Sequence, residues 1–103
     1  MKTVDSYLRK LLTIISEAAI EGLLVRDIER LGAHGYTITD ARGSGSRGVR
    51  NAGWEAGSNI RIEVVCDTQT AQSIAAHLRT QYYDNYAMIV FMSDVEVLRP
   101  EKF

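Results

Sequence analysis

The order of apolar patterns along the chain constrains the fold more than any other feature. Four short runs rich in aliphatic and β-branched residues, at 11–16, 35–40, 59–66 and 86–92, predict β-strands. Between the first and second runs, and between the third and fourth, apolar residues recur at steps of three and four, which is typical of amphipathic helices. These helical positions are Ile20, Leu23, Leu24, Ile28 and Leu31, then Ala71, Ile74, Ala75, Leu78 and Tyr82. The predicted order is therefore β-α-β-β-α-β.

This order predicts a ferredoxin-like α+β sandwich, in which two helices cover one face of a four-stranded antiparallel sheet. Ser16 and Thr68 are predicted helix N-caps, and Gly32 is the predicted end of the first helix. The run 86–92 has no polar residue other than the hydroxyl of its tyrosine, which favours a central strand. We expect one domain over 1–103, with 1–10 as an N-terminal extension that forms either a short helix or an arm.

The uncovered face of such an apolar sheet is expected to be buried by self-association, and a cyclic trimer would cover it. Twelve Lys and Arg against thirteen Asp and Glu give a net charge of -1, which argues against a nucleic-acid partner. The apolar runs are too short to span a membrane, so we expect a cytoplasmic protein. Cys66 is predicted to be a small buried hydrophobe, and His34 and His77 to be isolated surface histidines.

The segment 42–57 loses all apolar periodicity and predicts a long loop. Five of the eight glycines lie there, and three arginines against Glu55 give the segment a local charge of +2. Glycine-rich backbone, serine hydroxyls and guanidinium groups together supply the donors that bind phosphate or carboxylate oxygens. The loop therefore indicates a mobile anion-binding segment, although a solvated flexible linker is the simpler alternative.

Four segments, GAHGYTITD at 32–40, GSGSRGVR at 43–50, NIRIEVV at 59–65 and YYDNYAMIVFMSDVEVL at 82–98, occur in this order. With them the chain resembles the PII-like regulators associated with bicarbonate uptake and carboxysomes. The resemblance implies a homotrimer of ferredoxin-like subunits that binds adenine nucleotides between subunits. It also implies that 42–57 is the T-loop, which contacts partner proteins.

The same resemblance implies the residues of the site. Nucleotide contacts are expected at Gly35, Thr37, Ser46, Arg47, Arg50, Asn59, Glu63, Ala87 and Met88. Arg47 and Arg50 would also hold a small anion such as bicarbonate, and Trp54 would meet a partner protein. The T-loop has no tyrosine for covalent modification, and the Gly-Lys phosphate loop of nitrogen-regulatory PII proteins is missing, which favours AMP or ADP over ATP.

The leading hypothesis is a non-enzymatic regulator, without a cofactor, that binds ADP or AMP and bicarbonate. Its T-loop would be read by a bicarbonate transporter or a carboxysome-related protein. The alternative is a small acyl-phosphate hydrolase that uses Arg47 to hold phosphate and Asn51 or Asn59 to orient water. A ferredoxin-like RNA-binding module is disfavoured, because β-branched residues occupy the positions where stacking aromatics are needed, namely Ile60, Ile62 and Val64.

Overall fold

The computed structural model describes residues 7–43 and 59–103. Its strands are β1 (Leu8–Glu17), β2 (Thr37–Ala41), β3 (Asn59–Cys66) and β4 (Ile89–Glu96). Its helices are α1 (Glu21–Arg30) and α2 (Thr68–Gln81), with short 3₁₀ turns at Ala18–Ile20 and Pro100–Lys102. The predicted β-α-β-β-α-β order is confirmed. The 59–66 strand prediction matches β3 at both ends.

The four strands form one antiparallel sheet in the order β2-β3-β1-β4. The two central strands are therefore β1 and β3, and the prediction that 86–92 forms a central strand is wrong. Its strand begins only at Ile89 and lies at the sheet edge. Tyr86 and Met88, which precede the strand, pack against the core from a turn, so the apolar run combined a turn with part of an edge strand.

Alternate residues of the sheet face the two helices and form the core. Leu12 and Ile14 of β1 lie opposite Val64 and Ile62 of β3 in the strand register. Leu23, predicted on the buried face of α1, is instead 45% exposed. The fully buried helix-facing core comprises Leu12, Ile14, Ile62, Val64, Leu24, Ile28, Ala71, Ile74 and Leu78.

The other side of the sheet, here called the open face, carries the odd-numbered strand residues. One row across it runs Thr37, Glu63, Thr13 and Phe91, and the next runs Thr39, Arg61, Ile15 and Ile89. Ile89 and Phe91, on the β4 edge, are 45% and 48% exposed. The open face thus presents an apolar edge beside a more polar β2–β3 half.

The helix ends differ from two of the three predictions. Ser16 does not cap α1, because it lies within β1 opposite Ile60 and a 3₁₀ turn separates it from the helix. Asp67 caps α2 by accepting the Thr70 N–H at 2.7 Å, so Thr68 is the first helical residue and not the cap.

The end of α1 at Gly32 is confirmed. Gly32 has a φ of 114°, its N–H donates to the Glu29 carbonyl at 3.2 Å, and the Ala33 N–H donates to the Ile28 carbonyl at 3.0 Å. This pair of bonds is the Schellman pattern, which places a left-handed residue just beyond the last helical turn.

The start of β1 overlaps the predicted N-terminal extension. Leu8, Arg9 and Lys10 are strand residues, so for them the expected helix or arm is wrong. Arg9 Nη2 donates to the Pro100 carbonyl at 2.9 Å and its Nε to the Phe103 carbonyl at 3.3 Å, which ties the strand to the C-terminal turn. Residues 1–6 lie outside the described part. Within 7–43 and 59–103, no helix combines the length and apolarity needed to cross a bilayer.

Candidate functional site

One end of the sheet is where β2 finishes and β3 begins. Ala41 pairs with Asn59 there, and Asn59 pairs in turn with Glu17 of β1. The segment between β2 and β3 must therefore leave and return at this end. A cavity of about 470 Å³ lies beside that point, lined by Ile15, Thr39, Asp40, Ala41, Arg42, Gly43, Arg61 and Ile89.

The cavity wall is apolar on one side and cationic on the other. Ile15 and Ile89 are direct cross-strand partners and supply the apolar surface. Arg61, opposite Ile15, and Arg42 supply two guanidinium groups, and Asp40 supplies a carboxylate to the described lining. Such a wall suits a ligand with a flat apolar part and an anionic part.

Among residues 7–43 and 59–103, the charge on Arg61 is only weakly paired. Its Nη2 lies 3.4 Å from Glu63 Oε2, and the Arg61 side chain is 44% exposed. A contact this long between neighbours on one strand is weak, and it involves one of the five donors that a guanidinium carries. Arg61 can therefore turn donors toward a bound anion.

Three of the predicted nucleotide contacts lie together on the β2–β3 half of the sheet. Thr37 is the direct cross-strand partner of Glu63, on the open face. Asn59 is the first residue of β3 and is fully buried. Gly35 precedes β2 in an exposed segment, and a Cβ added there would meet no described atom within 4 Å.

The other predicted contacts are separated from this group. Ala87 and Met88 directly precede Ile89 at the β4 edge, and β1 and β3 lie between that edge and β2. Two strands therefore separate them from Thr37 in the sheet. The predicted Ser46, Arg47, Arg50 and Trp54, and also Asn51, lie outside the described residues.

Sequence reasoning missed the residues that line the cavity. Alternation along β3 puts Arg61 on the same outward face as Glu63, so Arg61 could have been found from the strand pattern. Ile15 and Ile89 could not, because their proximity depends on which strands pair. Arg42 was noted only as part of the basic loop.

His77 is not the isolated surface histidine that was predicted. Its Nε2 lies 3.0 Å from Asp27 Oδ2, and the side chains are only 21% and 18% exposed. The Tyr82 hydroxyl donates to the same oxygen at 2.5 Å. Asp27 on α1, together with His77 and Tyr82 at the C-terminal part of α2, is here called the helix junction.

The helix junction shifts the pKa of two of its groups. Burial alone would raise the pKa of the Asp27 carboxyl, but hydrogen bonds from Tyr82 and His77 and the charges of His77 and Arg30 outweigh it and lower that pKa. Burial and the neighbouring Asp27 carboxylate raise the pKa of Tyr82 to about 12. A neutral tyrosine beside an ionised aspartate is therefore the favoured state.

Cys66 is buried, and this burial, followed by the charge of Asp67, raises the pKa of its thiol to about 11. Its predicted role as a buried hydrophobe is confirmed. In the described part of the chain, His, Cys, Asp and Glu side chains form no group of three that could hold a metal ion.

Several solved structures share this fold. A PII-like signalling protein from Thermus thermophilus is 46% identical over 93% of this chain and 95% of its own, with a TM-score of 0.79. CPII from Thiomonas intermedia in a structure with ADP and bicarbonate is 28% identical, with coverages of 94% and 95% and a TM-score of 0.82. CPII with ADP, AMP and acetate is 26% identical at the same coverages, with a TM-score of 0.81.

The sequence also matches the family model described as nitrogen regulatory protein P-II, over residues 9–102. The match takes in nearly all of the four strands and both helices, which is the ferredoxin-like arrangement described above. The chain belongs to the nitrogen regulatory protein P-II family.

Proposed function

We propose that this protein is a cytoplasmic PII-like regulator that binds ADP or AMP in the cavity beside the T-loop base. The observation that carries the proposal is the placement of Arg61 beside Ile15 and Ile89 in one cross-strand row that lines the cavity. The wall offers apolar surface to an adenine or ribose ring, while Arg61 and Arg42 offer donors to phosphate oxygens. The structures of the related CPII with ADP, and with ADP and AMP, support this ligand class.

The proposed site is completed by a neighbouring subunit of a homotrimer. Trimers are typical of PII proteins. The exposed apolar side chains of Ile89 and Phe91 favour burial of the open face by a neighbouring subunit. Ala87 and Met88 precede the strand at one sheet edge, and Thr37 begins the strand at the other. In the proposed trimer, the β4 edge of one subunit lies near the β2–β3 half of the next, which brings both sets of contacts to one ligand.

The proposed second ligand is bicarbonate, which one of the CPII structures contains together with ADP. Arg47 and Arg50 are the proposed bicarbonate donors, because paired guanidinium groups match a small planar anion. Ser46 at the same loop base would add a hydroxyl donor. Ligand binding would then order the T-loop. A partner protein in inorganic-carbon uptake or carboxysome function would recognise the ordered loop by contacting Trp54.

Isothermal titration calorimetry tests the ligand assignment. ADP and AMP are titrated into the wild type, and bicarbonate is titrated with and without saturating ADP. We expect Arg61→Ala to weaken ADP binding about tenfold, at the low end of the range for a hydrogen bond to a charged group because the side chain is partly exposed. Arg99→Ala, which changes an exposed arginine that follows β4 and does not line the cavity, is the matched control.

Two outcomes would contradict the proposal. One is the absence of binding heat for both nucleotides with folded wild-type protein. The other is an ADP affinity that falls equally in Arg61→Ala and Arg99→Ala, because this would show a general charge effect and not a contact at the cavity.

A further inference from the structure

The helix junction lies outside the proposed ligand cavity, on the helix side of the sheet. Its centre is Asp27 Oδ2, which accepts hydrogen bonds from the Tyr82 hydroxyl at 2.5 Å and from His77 at 3.0 Å. Because a carboxylate oxygen can only accept, the His77 ring must carry its proton on Nε2. One atom of α1 thus fixes two side chains of the C-terminal part of α2.

Tyr82 also anchors the turn that follows α2. It is the C-cap of that helix, and its carbonyl accepts the N–H groups of Asn85 at 3.1 Å and Tyr86 at 2.9 Å. Its ring packs on that of Tyr86 at 5.8 Å between centroids, and Tyr86 and Met88 pack in turn on the core. The turn 83–88 is therefore attached at both its backbone and its aromatic side chains to Tyr82.

The groups around Asp27 depend on its negative charge and its acceptor oxygens. Arg30 Nη2 lies 3.7 Å from Asp27 Oδ1, and the charge of Arg26 also acts on Tyr82. The Tyr82 hydroxyl has Asp27 as its hydrogen-bond acceptor in a site where the tyrosine is 8% exposed. Removing the carboxylate would take away the acceptor to which the Tyr82 hydroxyl and the His77 N–H both donate. Because both groups lie in a poorly hydrated position, this loss favours a shift of the Tyr82 ring.

We propose that Asp27 is a positioning residue for the ligand site. By holding Tyr82 and His77, it keeps the turn 83–88 in one conformation, so that the backbone of Ala87 and Met88 is set before a ligand arrives. This inference rests on the proposed function, because its value depends on a nucleotide contacting that turn. A residue on α1 would then control the affinity of a site that it does not touch.

A purely structural role would make a different prediction. If Asp27 only joined the two helices, its loss would lower global stability and leave the turn as protected as the rest of the domain. Ile74→Val in the core of α2 provides that comparison, because it removes one buried methylene away from the junction. Asp94→Asn, which breaks the Lys10–Asp94 ion pair, controls for the loss of one carboxylate.

The test combines hydrogen exchange of the free protein with ADP titration, on Asp27→Ala, Tyr82→Phe and the two controls. We expect the Asn85 and Tyr86 amides, which donate to the Tyr82 carbonyl, to exchange about tenfold faster in Asp27→Ala, with a weaker ADP affinity, while both controls leave these amides and the affinity unchanged. Asp27→Asn retains one acceptor oxygen and should restore most of the protection. Tyr82→Phe keeps the ring and gives an independent variant if Asp27→Ala does not fold.

Unchanged exchange of the Asn85 and Tyr86 amides in both Asp27→Ala and Tyr82→Phe would overturn the positioning role. So would an equal increase in Ile74→Val, because it would show that the turn responds to global stability alone. Absence of ADP binding by the wild type would instead overturn the proposed function, and the exchange data would still report whether Asp27 orders the turn.

Discussion

The hydroxyl of Tyr82, at the end of α2, lies 2.5 Å from a carboxylate oxygen of Asp27 on α1. The two residues are 55 positions apart in the chain, and their contact joins the two helices on the side of the core away from the open face. The same bond favours an ionised Asp27 and a neutral Tyr82, in agreement with a lowered pKa for the first and a raised pKa for the second.

Alkaline titration should expose the Tyr82–Asp27 bond. The pKa of Tyr82 is raised to about 12 in the folded protein, against about 10 in an unfolded chain. Because the folded state favours the protonated Tyr82, this group stabilises the fold below about pH 10. That stabilisation is lost as the pH rises toward 12. We expect the free energy of unfolding, measured by urea denaturation, to fall by about 2 kcal/mol over this window. Tyr82→Phe should lack this decline, and an identical decline in both proteins would contradict the assignment.

Alanine substitutions of Gly32 and Gly22, at the end of α1 and within it, should change the stability of the fold in opposite directions. Gly32 has a φ of 114°, so Gly32→Ala should destabilise the fold by about 1 to 2 kcal/mol through backbone strain. The nearest atom to an added Cβ is Thr70 Oγ1 at 3.6 Å, so a steric clash is not the cause. Gly22, within α1 and with open space around it, is the control, and Gly22→Ala should stabilise by about 0.5 kcal/mol. Urea denaturation measures both changes. A Gly32→Ala variant as stable as the wild type would contradict the proposed strain at the end of α1.

Thr13 holds a hydroxyl that has no hydrogen-bond partner among the described residues, although it is fully buried at the centre of the sheet. Thr13→Val has the same shape without the polar atom, so we expect it to stabilise the protein by about 1 kcal/mol. Thr39→Val, at an exposed position on the β2 edge strand, should change stability by less than about 0.5 kcal/mol. A destabilised Thr13→Val variant, measured by thermal unfolding, would show that the hydroxyl gains a partner in the assembled protein.

The thiol of Cys66 should be inert in the native state. It is buried on β3 and its pKa is raised to about 11, so little thiolate exists near neutral pH. A disulfide reagent added to native protein should label only a small fraction of the chains in the time that labels urea-unfolded protein completely. Rapid labelling without denaturant would contradict the burial of this residue.

Apolar periodicity was sufficient to predict the element types and their order, because strands and helices bury their residues at different spacings. It could not place β4 at the edge, since the run 86–92 draws its apolar character from Tyr86 and Met88 in the preceding turn as well as from the strand. The α2 cap was misplaced by one residue because Asp67 and Thr68 are both good capping residues, and only the Thr70 contact separates them.

The candidate site was less predictable than the fold. Thr37 and Glu63 were expected near the site from the family resemblance, and the structure places them opposite each other in the β2–β3 register. The wall of Ile15 and Ile89 depends on the pairing of the first strand with the last, and the Asp27–His77 contact joins helices that are far apart in sequence. Neither contact can be predicted from the local sequence pattern.

A crystal structure of the protein with ADP would show whether the proposed cavity binds the nucleotide. We expect nucleotide density in the cavity beside the T-loop base, with a ring against Ile15 and Ile89 and a phosphate within hydrogen-bond distance of Arg61. We also expect a second subunit of the trimer to close the site. Nucleotide density at another surface, with the Arg61 cavity filled only by solvent, would contradict the proposed site.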